Sequence, residues 1–312
     1  VTMNLLPGLD LISGTVPALK DIDGDDDDDL IIGTEFNADN TSWAGQLYYF
    51  ENITNNTAPE YVLVDSSFID DFTTTNLAPS FYDTDNDGDL DAIIGEFNGY
   101  LLHYNQTDTG WEYIGHYLDL DLNGKTMPAW GDVDQDNDDD LVIGTKDGMV
   151  SIYINNGDIS NLEFVSQIDI GDDAAPTILS NGAIIAGNEV GDLKLLYYEP
   201  GNLIEGNMPG YPYCGQNLTP HPFSISESQE FENLLVGSKA GGVQYLSYNS
   251  LGIKKENDPV PIDFEIYAIY PNPNNGQCKI DLNIEKVGTY EITVFDIHGR
   301  TINRVFNGPL NK

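Results

Sequence analysis

Basic residues are scarce in this sequence. Only 12 of 312 residues are Lys or Arg, against 52 Asp or Glu, so the formal net charge is −40. A surface this acidic repels nucleic acid and anionic lipid, and neither is an expected partner. Residues 1–251 hold 5 basic and 44 acidic side chains, whereas residues 264–312 hold 5 of each. We therefore predict a large domain at 1–251, a linker at 252–263 and a small domain at 264–312.

Long apolar runs and cysteines are also scarce. No run approaches the ~18 apolar residues of a membrane-spanning helix, so no membrane span is expected. The chain opens at Val1 without a secretory signal, and we expect it to be an excised or processed piece. Its two cysteines, Cys214 and Cys278, fall in different predicted domains, and a disulfide between them is not expected.

Catalytic motifs are missing as well. The four histidines are scattered one at a time, and there is no H-E-x-x-H, no G-x-S-x-G and no phosphate-binding loop. We therefore expect no enzyme activity, although the many acids leave a carboxylate pair for glycoside cleavage open. Trp43, in an insertion at 34–46, is expected to pack in its loop rather than stack on a sugar. Trp130 is expected to be buried.

A repeat runs through the acidic domain. Three segments align without gaps: PALKDIDGDDDDDLIIG at 17–33, PSFYDTDNDGDLDAIIG at 79–95 and PAWGDVDQDNDDDLVIG at 128–144. Two weaker copies, aligned on Pro176 and Pro222, keep the proline, the apolar run and the final glycine. They lose the aspartates, because Ser180 and Ser226 stand where the first aspartate is expected. No metal site is therefore predicted in the last two copies.

Short aromatic segments that begin with glycine follow each copy and predict β-strands. They lie at 45–50, 99–104, 148–153, 191–198 and 241–248, and further strands are predicted at 111–122 and 162–170. About four strands in roughly 48 residues is the size of one propeller blade. No apolar period of 3.6 residues is sustained, so an all-β fold is predicted. The five visible blades either close alone or form part of a larger ring, and residues 1–12 are predicted to complete the last blade.

Aspartates alternate in the first three copies. In DTDNDGDLD at 83–91, five carboxylates fall within nine residues. Two such charges ~5 Å apart repel by roughly 1–3 kcal/mol at surface dielectric values, so a compact fold needs a counter-charge. Calcium fits, since it accepts about 6–8 oxygen ligands with loose geometry, whereas magnesium requires a stricter octahedron. An EF-hand is excluded because Ile94, rather than Glu, stands at loop position 12.

The spacing of the aspartates predicts the ligands of about three calcium ions. Loop positions 1, 3, 5 and 9 supply carboxylates, and position 7 supplies its backbone carbonyl. The predicted carboxylate ligands are Asp21, Asp23, Asp25, Asp29, Asp83, Asp85, Asp87, Asp91, Asp132, Asp134, Asp136 and Asp140. The predicted carbonyl ligands belong to Asp27, Asp89 and Asp138. Gly88 at position 6 permits a left-handed turn, which Asp26 and Asn137 are expected to make in the other loops.

Residues 17–248 resemble the FG-GAP repeat family, also called VCBS repeats. The resemblance rests on D-x-D-x-D-G-D-x-D followed by an apolar strand and glycine. It implies a propeller whose calcium loops lie on the sides of the blades, with roles mostly in adhesion and ligand binding. Seven blades are usual in that family, so the resemblance implies a seven-bladed ring as the alternative to the five blades visible here.

Residues 267–312 resemble the type A C-terminal sorting domain of the Bacteroidetes type 9 secretion system. The matching residues are Tyr270-Pro271-Asn272-Pro273, Gly276, the strand at 279–284 and YEITVFDIHGR at 290–300. The resemblance implies a small β-sandwich, truncated here before its last strands, that is recognised by the type 9 secretion machinery. It further implies a protein that is released outside the cell or anchored on the exterior of the outer membrane.

Three functional hypotheses follow. The first is a surface adhesin or binding module whose propeller contacts a glycan or a protein. The second is an extracellular carbohydrate-active enzyme or its accessory domain. The third is a structural spacer. The missing catalytic motifs favour the first hypothesis over the second.

Overall fold

The computed structural model divides the chain into two compact units, Val1–Ile253 and Lys254–Lys312. It describes residues 11, 14–37, 43–56, 59–107, 109–118, 120, 122, 124–208, 211, 214–223, 233–246, 264–270, 279–284, 288–295 and 301–310. All the regular secondary structure of these residues is β-strand, which confirms the all-β prediction. The division falls inside the segment predicted as a linker, whose limits remain predictions.

Unit 1 is a β-propeller of five antiparallel sheets, each with its strands in chain order. Blade 1 contains β1 (Thr15–Lys20), β2 (Asp29–Thr34), β3 (Leu47–Asn52) and β4 (Tyr61–Asp65). Blade 2 contains β5 (Ala78–Tyr82), β6 (Asp91–Gly95), β7 (Leu101–Thr107) and β8 (Gly110–His116). Blade 3 contains β9 (Thr126–Gly131), β10 (Asp140–Thr145), β11 (Met149–Ile154) and β12 (Glu163–Asp169). Blade 4 contains β13 (Ala175–Ile178), β14 (Ile184–Gly187), β15 (Leu193–Glu199) and β16 (Asn202–Glu205). In blade 5, the described residues form β17 (Thr219–Phe223), β18 (Asn233–Gly237) and β19 (Val243–Leu246).

Burial explains the apolar runs of the repeat. Every residue of β2, β6 and β10 is buried, because neighbouring blades cover both faces of these second strands. A strand buried on both faces reads as a continuous apolar run rather than an alternating one. The outer strands β4, β8 and β12 are mostly exposed, and the sequence signal for β4 was too weak to predict it.

The five blades close into a ring. The first strand of each blade contacts the first strand of the next, and β17 of blade 5 contacts β1 of blade 1. The Thr15 amide donates a hydrogen bond to the Ser238 carbonyl at 3.2 Å. The Leu19 amide donates another to Nε2 of His221 at 3.0 Å. The alternative of a seven-bladed ring is therefore wrong for this structure.

The glycine that ends each apolar run is required by the close approach of the next blade. A Cβ on Gly144 would lie 2.2 Å from the Ala174 carbonyl oxygen, and one on Gly237 would lie 2.1 Å from that of Thr15. Gly33, Gly95 and Gly187 make the same kind of contact. Because the backbone at these five positions lacks a positive φ, space rather than chain conformation selects glycine.

The alignment of the fifth copy needs a correction. Pro220 pairs with Val236, as Pro17 pairs with Ile32 in blade 1. The repeat proline of blade 5 is therefore Pro220, and the alignment on Pro222 was wrong by two residues. A shift of two residues leaves the same side chains on the same strand face, so the apolar pattern did not reveal the error.

The predicted N-terminal strand of blade 5 lies outside the described residues except for Leu11. Leu11 is buried in a cluster that contains Leu30 of blade 1 and Leu235 and Tyr245 of blade 5. Strand 1–12 thus stays a prediction, while this one residue packs where blades 1 and 5 meet.

Unit 2 contains two antiparallel strand pairs in its described residues. The pairs are β20 (Phe264–Tyr270) with β21 (Lys279–Ile284), and β22 (Gly288–Phe295) with β23 (Thr301–Leu310). The strand predicted at 279–284 coincides with β21, and the segment predicted at 290–300 overlaps β22 over residues 290–295. The motif at 271–276 and the predicted turn at 298–299 lie outside the described residues. Nowhere in the described chain is there a helix with the length and apolar character that a membrane crossing requires.

Candidate metal centre

Each aspartate loop joins the first strand of a blade to the second. In blade 1 the loop starts at Asp21, directly after β1, and its ninth residue, Asp29, begins β2. The same arrangement joins β5 to β6 and β9 to β10. The three loops therefore occupy equivalent places in three consecutive blades, as the repeat predicts.

The loops bring carboxylates together. Three groups each offer oxygen atoms that all lie within 4.8 Å of one another: Asp21, Asp23 and Asp29; Asp83, Asp85 and Asp91; Asp132, Asp134 and Asp136. Positions 1 and 3 thus converge in all three loops, position 9 joins them in the first two, and position 5 joins them in the third. Asp25, Asp87 and Asp140 are outside these groups. The carbonyl ligands at position 7 remain predictions.

The position 1 carboxylate organises the turn. Asp83 accepts hydrogen bonds from the amides of Asp87 and Gly88 at 3.2 and 3.0 Å. Asp21 and Asp132 accept equivalent bonds from residues three to five places further along. These bonds pull the backbone around the position 1 side chain and hold the loop closed.

Two residues of each loop have a left-handed backbone. The left-handed residue at position 6 was predicted. It is Gly88 in loop 2, and Asp26 and Asn137 take the same conformation in the other loops, with φ of 70° and 76°. A second occurs at position 4, where Gly24, Asn86 and Gln135 have φ of 81°, 59° and 63°. The second left-handed residue was not predicted, although Gly24 and Asn86 are residue types that favour this conformation.

The position 9 aspartate is buried and joins the loop to the blade. Asp140 accepts hydrogen bonds from the amides of Val133 at 2.8 Å and Asn155 at 2.9 Å. Asp29 accepts the equivalent bonds from Ile22 and Asn52. In blade 1 this aspartate therefore ties its own loop to the end of β3, and in blade 3 to the end of β11.

The local electrostatics disfavour the ionised form of some of the loop aspartates. Burial, followed by the charges of Asp25 and Asp29, raises the pKa of Asp27 to about 6. Burial also raises the pKa of Asp140 to about 6, although amide donors oppose the shift. Desolvation, followed by the charge of the aspartate two residues further along, also raises the pKa values of Asp85 and Asp134. A divalent cation would reverse this tendency, because an adjacent positive charge favours the ionised form.

The donor set fits a hard cation. All converging ligand atoms are carboxylate oxygens, the type that calcium and magnesium bind. In loop 1, Oδ1 of Asp27 is buried without a hydrogen-bond partner among the described residues. Buried carboxylate oxygens are normally paired or coordinate a metal, so this orphaned oxygen supports an ion near loop 1. The three clusters could therefore hold metal ions.

Blade 4 has no comparable loop. Its first two strands are joined by residues 179–183, which are fewer than the eight residues 21–28 of blade 1. Ser180 replaces the position 1 aspartate, in keeping with the prediction of no metal site there. The corresponding segment of blade 5 lies outside the described residues.

A cavity at one end of the propeller axis was missed from sequence. It measures about 270 Å³, and its lining includes Lys125, Lys146 and Lys239, three of the five basic residues in 1–251. Lys125 pairs with Asp173 at 3.2 Å. The second residue after each repeat glycine reaches this cavity, namely Glu35, Phe97, Lys146, Glu189 and Lys239. That shared offset was a signal visible in the repeat.

The structure also tests the expectations for Trp43, Trp130 and Cys214. Trp43 is 86% exposed and touches Phe36 edge-on, so the expectation of loop packing was wrong. Trp130 is only partly buried and stacks on Tyr82 at 4.7 Å. Cys214 is buried in the core, whereas Cys278 lies outside the described residues.

Comparison with known families concerns the C-terminal unit. Residues 268–310 match the family model of the secretion system C-terminal sorting domain. This confirms the resemblance drawn from the Y-P-N-P motif, and the sorting domain implies export of the protein and recognition by the type 9 secretion machinery. No curated protein matches the chain. The FG-GAP resemblance of the propeller rests on the sequence motif alone.

Proposed function

We propose that this chain is a secreted or cell-surface binding protein whose propeller is stabilised by calcium and which acts by adhesion. The convergence of carboxylates within 4.8 Å in three equivalent loops supports the metal sites. All-oxygen donors fit calcium and magnesium alike, and calcium is favoured because its coordination geometry is looser than the strict octahedron of magnesium. The sorting domain supports a location outside the cell, where calcium is plentiful.

Calorimetric titration of chelator-treated protein tests the metal sites. We expect about three calcium ions per chain, one for each cluster of three aspartates. The double variant D83N/D85N removes two ligand charges from loop 2 and is expected to lower the stoichiometry by one. Its control is E112Q/E163Q, which removes two exposed acids outside the loops and leaves the stoichiometry unchanged. A wild-type protein that binds no calcium would refute the proposal.

We further propose that the propeller binds its ligand without transforming it. The absence of catalytic motifs in the sequence supports this choice. Incubation with a panel of polysaccharides, followed by analysis of reducing ends, is the test. Turnover that disappears on substitution of a propeller carboxylate would favour the carbohydrate-active enzyme instead.

A further inference from the structure

Blade 2 carries a groove of about 650 Å³. Residues of β7 and β8 form one side, and the connection 66–77 between β4 and β5 forms the other. We call it the blade 2 groove. Its volume lies in the range of about 300–1,000 Å³ that is typical of ligand sites.

Aromatic rings dominate one wall of the blade 2 groove. Tyr104 and Tyr113 pack against each other at 5.2 Å between centroids, and Tyr113 is 50% exposed. Tyr100 and His116 stack at 4.3 Å with planes 14° apart. Trp111 completes this wall. Two flat ring platforms are therefore presented to the groove.

A β-bulge places both platforms on the same face. Tyr113 pairs with Tyr104, but Gly115 pairs with His103, so Ile114 is an extra residue in β8. Without this bulge, Tyr113 and His116 would point to opposite faces, because they are three residues apart. The bulge turns His116 towards the groove.

The Tyr100–His116 stack belongs to blade 2 and not to the blade architecture, whereas the Tyr104–Tyr113 pair recurs in blade 3 as Tyr153–Phe164. Blade 3 has the same bulge, and Phe164 is its counterpart of Tyr113. The counterparts of His116 and Tyr100 in blade 3 are Gln167 and Met149. Their replacement by non-aromatic residues shows that the bulged strand pair does not need these rings for its fold.

The polar groups of the groove are acidic or neutral. Its lining includes Asp70, Asp71 and Glu96, and contains no Lys or Arg. Glu96 is buried and accepts hydrogen bonds from Asn98 at 2.8 Å, from the Tyr100 amide at 3.0 Å and from the Thr74 hydroxyl. The exposed Asp70 and Asp71 offer carboxylate oxygens at the rim. Such a site repels anions and presents acceptors for hydroxyl groups.

We propose that the blade 2 groove binds a neutral glycan, with sugar rings lying on the Tyr113 and His116 platforms and hydroxyls donating to Asp70 and Asp71. The apolar faces of a pyranose fit flat rings, and its hydroxyls fit carboxylate acceptors. Charge complementarity excludes uronate-rich and sialylated chains. This inference rests on the proposed binding function and names its ligand class.

Titration of the calcium-loaded chain with neutral oligosaccharides of glucose, mannose, galactose and N-acetylglucosamine tests the proposal. Heat of binding and tryptophan fluorescence are both measured. At least one neutral oligosaccharide is expected to bind, and Y113A is expected to weaken it by about tenfold or more. D71N should weaken binding less, because it keeps one acceptor oxygen.

The matched control is F164A, which removes the equivalent ring from blade 3 and should leave glycan affinity unchanged. Failure of all neutral oligosaccharides to bind, tighter binding of polygalacturonate, or equal losses in Y113A and F164A would each overturn the inference. Calcium stoichiometry, measured on the same samples, separates this failure from failure of the proposed metal sites. Binding of a peptide panel without glycan binding would also overturn the inference while leaving the adhesion proposal standing.

Discussion

His221 lies where the last blade meets the first, and its protonation opposes that contact. Its Nε2 atom accepts the Leu19 amide, which requires a neutral ring. Burial lowers the pKa of His221 to about 4. Because the unfolded chain keeps the ordinary value of about 6.5, unfolding takes up a proton in acid.

The pH dependence of stability follows from this shift. His221 contributes its full stability above pH ~6.5 and loses it as the pH falls towards 4, by about 1–3 kcal/mol in all. Since buried aspartates titrate in the same range with the opposite sign, wild type must be compared with H221Q at each pH. Urea unfolding should show a difference between the two that shrinks from pH 7 to pH 4. A constant difference would contradict the prediction.

Gly144 is a residue whose position leaves no room for a side chain. In G144A, the new methyl group meets the Ala174 carbonyl oxygen, since a Cβ there would be 2.2 Å away. We expect the free energy of unfolding to fall by roughly 1–3 kcal/mol, as in other overpacked sites. The control G242A adds a methyl group where no atom lies within 4 Å and φ is not positive. Equal stability of both variants by urea titration would rule out the close-approach explanation.

At the scale of elements, each aspartate loop is a connection that calcium would rigidify. The position 1 side chain folds the loop, and the position 9 aspartate fixes it to the end of β3 in blade 1 and of β11 in blade 3. Repulsion among the carboxylates opposes the folding of the loop and its attachment to the blade. The loop therefore carries unfavourable charge repulsion until a cation binds. The turn chemistry is local, and for this reason the repeat predicted it well.

Calcium removal is therefore expected to destabilise the propeller. Binding at a hundredfold excess over Kd stabilises a folded protein by about 2.7 kcal/mol per site. A thermal melt in EDTA should show a clear fall in Tm relative to calcium, and magnesium should restore less of it. An identical Tm in EDTA and calcium would remove the energetic basis for the metal sites.

At the scale of the whole molecule, stability depends on ring closure. The contacts of β1 with β17 join residues about 200 positions apart, as in the bond between Leu19 and His221. A closed ring leaves no exposed edge between the first and last blades. Loss of one inner strand would expose two blade faces at once.

Two truncations test this dependence. A variant that lacks residues 1–20 loses β1, and we expect its urea transition to broaden and shift to lower concentration. A variant that lacks residues 254–312 loses only unit 2, and the transition of the propeller should be retained. Retention of a sharp, unshifted transition without β1 would show that closure is not limiting.

The sequence by itself determined the all-β class, the repeat, the three aspartate loops and the sorting domain. Each of these can be recognised from residues close together in the sequence: alternate aspartates, an apolar run ended by glycine, or the Y-P-N-P motif. Local spacing suffices because turn geometry and strand burial act over a few residues.

Only the tertiary structure decided the number of blades in the ring, the role of Pro220 and the positions of the lysine-lined cavity and the blade 2 groove. These features depend on contacts between residues far apart in the chain, such as Thr15 with Ser238. The apolar pattern has a period of two and carries no information about which strand lies next to which. Packing between blades makes that choice, and it brings distant side chains to one surface.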